Sequence, residues 1–201
     1  SYYIRPVING VEYEASKSVT PWATVYKSIS VTPAPASRLL PDGTYSTYSP
    51  NECSVGDVDC DGEYEIIMVW LPSSKIGGVY LDCYKLNGTR LWRIDLGVNV
   101  IGQSEYVHLV YDFNSDGKAE IVTMTAPGTR DGTGQFLRDG PAANDNDNAD
   151  YRVVGSDYVN QGPQYLTVFE GATGRELRTI TFPISRDPLS NWGDNYGHRA
   201  N

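Results

Sequence analysis

The sequence predicts an all-β protein built from four-stranded antiparallel units in series, the arrangement of blades in a β-propeller. Three observations carry this. An acidic, glycine-centred loop occurs twice, at 57–65 and 112–120, each time running into a β-rich segment. A hairpin follows in each half, Leu86-Asn87-Gly88-Thr89-Arg90-Leu91 and then Ala172-Thr173-Gly174-Arg175-Glu176-Leu177. Helix formers are sparse, whereas 15 Tyr, 20 Gly and 12 Pro among 201 residues favour strands and turns.

Residues 1–20 read as strand, turn and strand. Tyr2, Ile4 and Val7 are extended, Asn9-Gly10 is a hairpin turn, and Val11, Tyr13 and Ala15 alternate with Glu12 and Glu14. A lone hairpin is marginal in water, so this one is expected to need sheet partners from upstream. Residues 31–50 are rich in Pro, Ser and Thr without periodicity, and 21–53 is expected to be a linker. From Ser54 a strand enters the first acidic loop and 65–70 leaves it. Strands at 79–84 and 90–95 flank the Asn87-Gly88 turn. The second unit runs through 106–111, the second acidic loop and 119–125. After a long insertion rich in Gly, Asp and Asn, roughly 126–163, it closes with 165–169 and 176–180. Two units do not close a ring, because propellers have about four to eight blades. The chain is therefore expected to be a piece of a longer protein or to assemble with copies, its partners being the remaining blades in the same or another chain.

Within the first loop Asp57, Asp59 and Asp61 alternate, Gly62 turns the chain and Glu65 follows; the second has Asp112, Asn114, Asp116, Gly117 and Glu120. Carboxylates gathered round one point repel unless a cation sits among them. An all-oxygen, highly charged donor set suits Ca²⁺ rather than zinc or a transition metal. The backbone carbonyl at loop position seven, from Glu63 or Lys118, would complete the shell. An EF-hand requires a bidentate Glu at position twelve; Met68 and Thr123 stand there, and strands flank the loops. The alternative is an acidic turn without metal. A cation here is expected to staple strands rather than perform chemistry.

The formal charge is −9, and Asp57, Asp59, Asp61, Glu65, Asp112, Asp116 and Glu120 of the two loops supply seven of the negative charges. This acidity argues against nonspecific nucleic-acid binding. No apolar run is long enough to cross a membrane. No signal peptide is present, and the first residues read as domain interior. Three cysteines forbid complete internal pairing; a Cys53–Cys60 bridge is open but not established by spacing, and nothing suggests zinc. His108, in phase with Tyr106, reads as structural. Trp70, Tyr80, Tyr84, Trp92 and Tyr106 read mostly as core between blades. The glycines of 128–134 lack the ending and helix of a phosphate loop. Asn87-Gly88-Thr89 is a glycosylation sequon at a turn. Asp145, Asn146, Asp147, Asn148 and Asp150 read as a polar turn or a further cation site. The insertion reads as a solvated loop or a place for ligand contacts. Candidate substrate contacts are Arg130, Asp131, Asp150 and Arg152, with Trp192 and Tyr196 placed to stack on sugar.

The sequence also resembles one family along essentially its whole length. The segments are Tyr3-Ile4-Arg5-Pro6-Val7-Ile8-Asn9-Gly10, Ser54-Val55-Gly56-Asp57-Val58-Asp59, and Tyr84-Lys85-Leu86-Asn87-Gly88-Thr89-Arg90-Leu91-Trp92-Arg93-Ile94-Asp95-Leu96-Gly97. Collinear with these are Val110-Tyr111-Asp112, Asp131-Gly132-Thr133-Gly134, Ala149-Asp150-Tyr151-Arg152, Gly162-Pro163, Tyr165-Leu166-Thr167-Val168-Phe169, Trp192-Gly193-Asp194 and Tyr196-Gly197. They resemble the rhamnogalacturonan lyases of polysaccharide lyase family 11. The resemblance implies a fibronectin-like, sandwich-type β domain followed by an eight-bladed propeller carrying calcium. Residues 1–20 would then be the last strands of the first domain and 54–201 the first two to three blades. It implies a secreted enzyme that cleaves rhamnogalacturonan, an acidic plant cell-wall polysaccharide, by β-elimination. In that chemistry a cation on the uronate carboxylate stabilises enolate-like charge while a base removes the C5 proton. No residue is assigned as that base. The sequence departs from the family in a short loop at 71–78, in Glu105 where a His is usual, and in Met124 and Pro127 where a Lys and an Asp are usual. Those last two departures are expected to remove a cation and a ligand from the binding face. Together with Glu105 they motivate an alternative, a non-catalytic calcium propeller that binds polysaccharide or builds an extracellular assembly. An integrin-like adhesion propeller shares the acidic loops but not the other segments.

Overall fold

The computed structural model describes residues 1–36, 38–102, 107–152, 159 and 161–183. Among these the chain is all-β, with two short 3-10 turns at Lys75–Gly77 and Gly140–Asn144. It divides into two units, Ser1–Ser30 and Val31–Asn201.

In the first unit β1 (Val7–Ile8) and β2 (Val11–Glu12) pair antiparallel, Val7 opposite Glu12 and Ile8 opposite Val11. Asn9 and Gly10 take φ of 53° and 78°, the left-handed pair of a type I′ turn that Asn-Gly tolerates. Arg5 Nη1 reaches Glu12 Oε1 at 2.9 Å. Tyr2, Ile4, Val7, Ile8, Val11 and Tyr13 are each more than half exposed, so the hairpin has no buried face of its own.

The second unit begins with a small hairpin of β3 (Arg38–Leu39) and β4 (Tyr45–Ser46). Asp42 makes its turn, accepting from the Thr44 N–H at 2.9 Å and hydroxyl at 2.7 Å. The first large sheet is β5 (Tyr48–Gly56), β6 (Glu65–Pro72), β7 (Tyr80–Tyr84) and β8 (Arg90–Asp95); the second is β9 (His108–Tyr111), β10 (Glu120–Thr125), β11 (Tyr165–Phe169) and β12 (Glu176–Thr181). Each is an antiparallel meander in chain order. Both carry one irregularity in the same place. The ladder slips between Cys83 and Tyr84 and between Val168 and Phe169, leaving Leu91 and Leu177 as the extra residues of a bulge.

The expected linker 21–53 is corrected here. It contains β3 and β4, and β5 begins inside it at Tyr48. Two features hid β5. It lies at a sheet edge, where Pro50 is tolerated. Its register shifts between Pro50 and Cys53, which breaks the two-residue alternation.

The core lies between the two large sheets. Ile67, Val69, Leu81 and Ile94 of the first meet Ile121 and Phe169 of the second. Trp92 is buried in this seam and donates from Nε1 to the Gly171 carbonyl at 2.7 Å. The other aromatics are placed differently from expectation: Trp70, Tyr80 and Tyr84 face the opposite side of the first sheet, under Val31 and Ala34. Period-two alternation requires this, because Ile67 and Val69 already fill the inner face. Tyr106 lies outside the described residues. At the centre of that outer cluster, the fully buried Asp82 accepts from Trp70 Nε1 at 2.8 Å, Tyr84 Oη at 2.7 Å, and Arg93 Nε and Nη2 at 2.6 and 2.5 Å. Cys53, Cys60 and Cys83 are all free thiols, Cys53 and Cys60 exposed and Cys83 buried.

Among its described residues the insertion is anchored to the sheets at several points, although much of it stays exposed. Arg130 forms a backbone bridge with Asp95, the Thr129 hydroxyl donates to the Leu96 carbonyl at 2.9 Å, and Leu137 and Ala142 are buried. Among the described residues no helix is long and apolar enough to cross a membrane.

Candidate functional site

The two acidic loops join β5 to β6 and β9 to β10, and the same hydrogen-bond scheme folds both. The first aspartate accepts from the backbone N–H groups at positions five and six. Asp57 takes Asp61 at 3.2 Å and Gly62 at 3.0 Å; Asp112 takes Asp116 at 3.0 Å and Gly117 at 2.9 Å. The fifth-position carboxylate accepts from position seven: Glu63 to Asp61 at 2.8 Å and Lys118 to Asp116 at 2.9 Å. The closing glutamate accepts from position two, Val58 to Glu65 at 3.1 Å and Phe113 to Glu120 at 2.9 Å. The backbone repeats as well, with left-handed φ at Cys60 and Ser115 (62° and 63°) and at Gly62 and Gly117 (85° and 89°).

That geometry makes a prediction. A methyl on Gly62 would meet nothing within 4 Å, so Gly62→Ala isolates backbone strain. It should cost about 1 kcal/mol, read as a lowered urea midpoint. An unchanged midpoint would show that the left-handed turn is not retained.

The acidic groups converge. Oxygens of Asp57, Asp59 and Asp61 lie within 4.8 Å of one another, as do those of Asp112, Asp116 and Glu120. Glu65 is 1% exposed, and burial holds its pKa above the ordinary carboxylate value. Asp59 Oδ1 is buried with no hydrogen-bond partner, a cost of about 1–3 kcal/mol for an unsatisfied acceptor. An oxygen-only set with an orphaned carboxylate oxygen fits a hard divalent cation.

Each loop also holds a donor at its centre, and the donors differ. In the first, Lys85 Nζ lies 2.7 Å from Asp59 Oδ2, 2.9 Å from Asp61 Oδ2 and 3.7 Å from Glu65 Oε1. Those hydrogen bonds raise the Lys85 pKa and lower that of Asp61. In the second, the neutral Asn114 amide donates to Asp116 Oδ2 at 3.2 Å and Glu120 Oε1 at 2.9 Å. Sequence reasoning missed Lys85 because only the register of the β7–β8 hairpin brings it over the loop.

The loops lie side by side. The Asp57 carbonyl accepts from the Ala119 N–H at 2.8 Å. Between them is a cleft of about 250 Å³ lined by Asp57, Tyr64, Tyr111, Asp112 and Gly117. Tyr64 and Tyr111 are exposed.

The other candidates are mostly engaged internally. Asp131 is 4% exposed and accepts from the backbone N–H groups of Thr133, Gln135 and Glu176 and from the Thr133 hydroxyl. Arg152 pairs with Asp150 at 2.7 and 2.9 Å and donates to the Leu39 and Ile76 carbonyls at 3.2 Å. Arg130 is exposed, 3.6 Å above the Phe136 ring. Asp147 binds the Arg138 guanidinium and Asp145 accepts from Tyr165 Oη, which favours a polar turn. Trp192, Tyr196 and Glu105 lie outside the described residues. Met124 and Pro127 are both buried, Met124 against Gln164 Nε2 and Pro127 with its carbonyl taking Asn99 Nδ2 at 2.9 Å. His108 is buried, and burial lowers its pKa, which suits a neutral structural imidazole.

Comparison with known proteins gives a consistent picture. The family model described as rhamnogalacturonan lyase family 11, C-terminal domain, matches residues 26–201. The chain is 46% identical over 209 residues to the rhamnogalacturonan endolyase YesW of Bacillus subtilis (strain 168), covering 100% of this chain and 32% of that protein. It is 42% identical to the rhamnogalacturonan exolyase YesX of the same strain, over 98% of this chain and 32% of that one. The crystal structure of YesW superposes with a TM-score of 0.83 at 47% identity, covering 98% of this chain and 34% of that chain. The chain thus spans about a third of the length of these relatives.

Proposed function

The chain belongs to rhamnogalacturonan lyase family 11, and on that premise we propose that it is part of a secreted lyase that cleaves rhamnogalacturonan by β-elimination. The observation that carries this is the 46% and 42% identity, along the whole chain, to an endolyase and an exolyase acting on that polymer. We read the two large sheets, from β5 at Tyr48 onward, as the first blades of a propeller. Two meanders in series, alike in strand order, acidic loop and bulge position, support that reading. Residues 1–20 are read as the last strands of a preceding fibronectin-like domain, in keeping with their separate unit.

Calcium is the cation proposed for both loops. Asp57, Asp59, Asp61 and Glu65 would hold one ion and Asp112, Asn114, Asp116 and Glu120 the other, with the carbonyls of Glu63 and Lys118. The buried Glu65 and the orphaned Asp59 oxygen support this. Bound calcium supplies the positive charge that lets these carboxylates converge. The protein's own part is to fix them with backbone N–H groups before the ion arrives, which lowers the ordering cost of binding. A polymeric cell-wall substrate accords with secretion. Arg130, exposed, stacked on Phe136 and holding the Gly134 carbonyl at 3.0 Å with one nitrogen, is the described cationic candidate that would face an acidic glycan.

The test uses the full-length protein with rhamnogalacturonan and follows the ultraviolet absorbance of 4,5-unsaturated uronate. Product should accumulate, stop after chelation and return with calcium. Binding of the polymer without unsaturated product would replace the lyase with the non-catalytic propeller.

A further inference from the structure

We infer that Lys85 is a built-in competitor for the cation of the first loop, so that the two loops, alike in backbone, bind calcium with different affinities. The inference rests on the calcium reading above. Lys85 Nζ touches Asp59 and Asp61 and stands 3.7 Å from Glu65, three of the four carboxylates that would face the ion. Calcium–oxygen distances are about 2.3–2.6 Å and ammonium–oxygen distances about 2.7–2.9 Å. Both cations therefore claim the same point, and like charges that close exclude each other. For an ion to enter the first loop, the ammonium has to leave.

Only the side chain needs to move. The Lys85 backbone is held in the hairpin turn, its N–H donating to the Thr89 carbonyl at 2.9 Å and its carbonyl accepting from Gly88 at 2.9 Å. Among the described residues the second loop has no such competitor. Its central donor is the neutral Asn114 amide, whose oxygen accepts from the Asp116 N–H at 2.8 Å and which carries no charge to repel an ion. At the hairpin position equivalent to Lys85, one residue beyond the third strand, the second sheet carries Glu170. That residue's backbone N–H likewise pairs across the turn, with the Arg175 carbonyl at 2.8 Å. The sign of the charge is reversed between the two repeats. The first loop is thus neutralised in part without metal, whereas the second depends on its ion.

The experiment counts calcium bound by the full-length protein across a series of buffered free-calcium concentrations. Lys85→Met should fill one further site per chain at limiting calcium, the affinity of that site rising about tenfold or more. In the metal-free state the same variant should melt at a lower temperature than the parent. Lys85→Gln, which keeps a polar head without the charge, should show the same gain if Lys85→Met folds poorly. The gain should vanish in an Asp57→Asn background, which places it in the first loop. Superimposable binding curves for parent and variants, or weaker binding after losing Lys85, would overturn the inference while leaving calcium binding intact. A parent protein that binds no calcium would overturn the calcium reading as well.

Discussion

Asp82→Asn should destabilise the protein by about 3–5 kcal/mol, the cost of breaking a buried ion pair by removing one charge. The side chain is nearly isosteric, so packing is not at issue. Asp82 is fully buried and takes four hydrogen bonds, from Trp70, Tyr84 and two nitrogens of Arg93. An amide offers one acceptor oxygen in place of two and turns an NH₂ group toward donors. The Arg93 guanidinium, 15% exposed, would be left without its counterion. The damage extends along the chain. Arg93 Nη2 donates to the Thr32 carbonyl at 3.0 Å, and the Tyr84 hydroxyl, which shares its one proton between Asp82 and Thr32, lies 3.0 Å from the same carbonyl; these contacts tie residues 31–34 over the outer face of the first sheet. Asp82→Asn should therefore lower the melting temperature by roughly 10 °C and open the chain near residue 32 to protease. A loss under about 1 kcal/mol, with no new cleavage there, would show that the apolar contacts of Trp70 and Tyr80 hold the cover on their own.

What the sequence disclosed divides along physical lines. Strands with a clean two-residue alternation and a Gly turn were legible to within a residue or two, as at 90–95, 165–169 and 176–181. The hairpin of β3 and β4 was missed because its strands are two residues long, although Pro41-Asp42-Gly43-Thr44 is a turn signal that could have found it. β5 was misplaced because a bulge at an edge strand erases alternation. The acidic loops were legible because their carboxylates are local, within nine residues. Lys85, Asp82 and Trp92 act through tertiary contacts, and nothing in their immediate neighbours in sequence announces it. Asp131 and Arg152 show the converse. A conspicuous polar residue in a long loop satisfied its neighbours' backbone instead of facing outward.

Gly171→Ala should destabilise by about 3 kcal/mol or more and weaken calcium binding at both loops together. An added methyl at Gly171 would fall 1.9 Å from the Ala119 carbonyl oxygen and 2.8 Å from Val58 Cβ. The nearest obstacle is backbone, which has no rotamer to yield, so the overpacking cost lies at or beyond the upper end of the usual 1–3 kcal/mol. Three elements meet at this point. The Gly171 carbonyl takes the Trp92 indole N–H at 2.7 Å, Val58 follows Asp57, the first carboxylate of the first loop, and Ala119 precedes Glu120, the last carboxylate of the second. Ala119 is also bonded to the Asp57 carbonyl at 2.8 Å. Relief of the clash has to displace Ala119, and that displacement carries Glu120 one way and strains Asp57 the other. A calcium titration of Gly171→Ala should show both sites weakened, with a lower melting temperature in saturating calcium. If only one site weakened, the loops would be folding independently and the shared Asp57–Ala119 bond would not couple them.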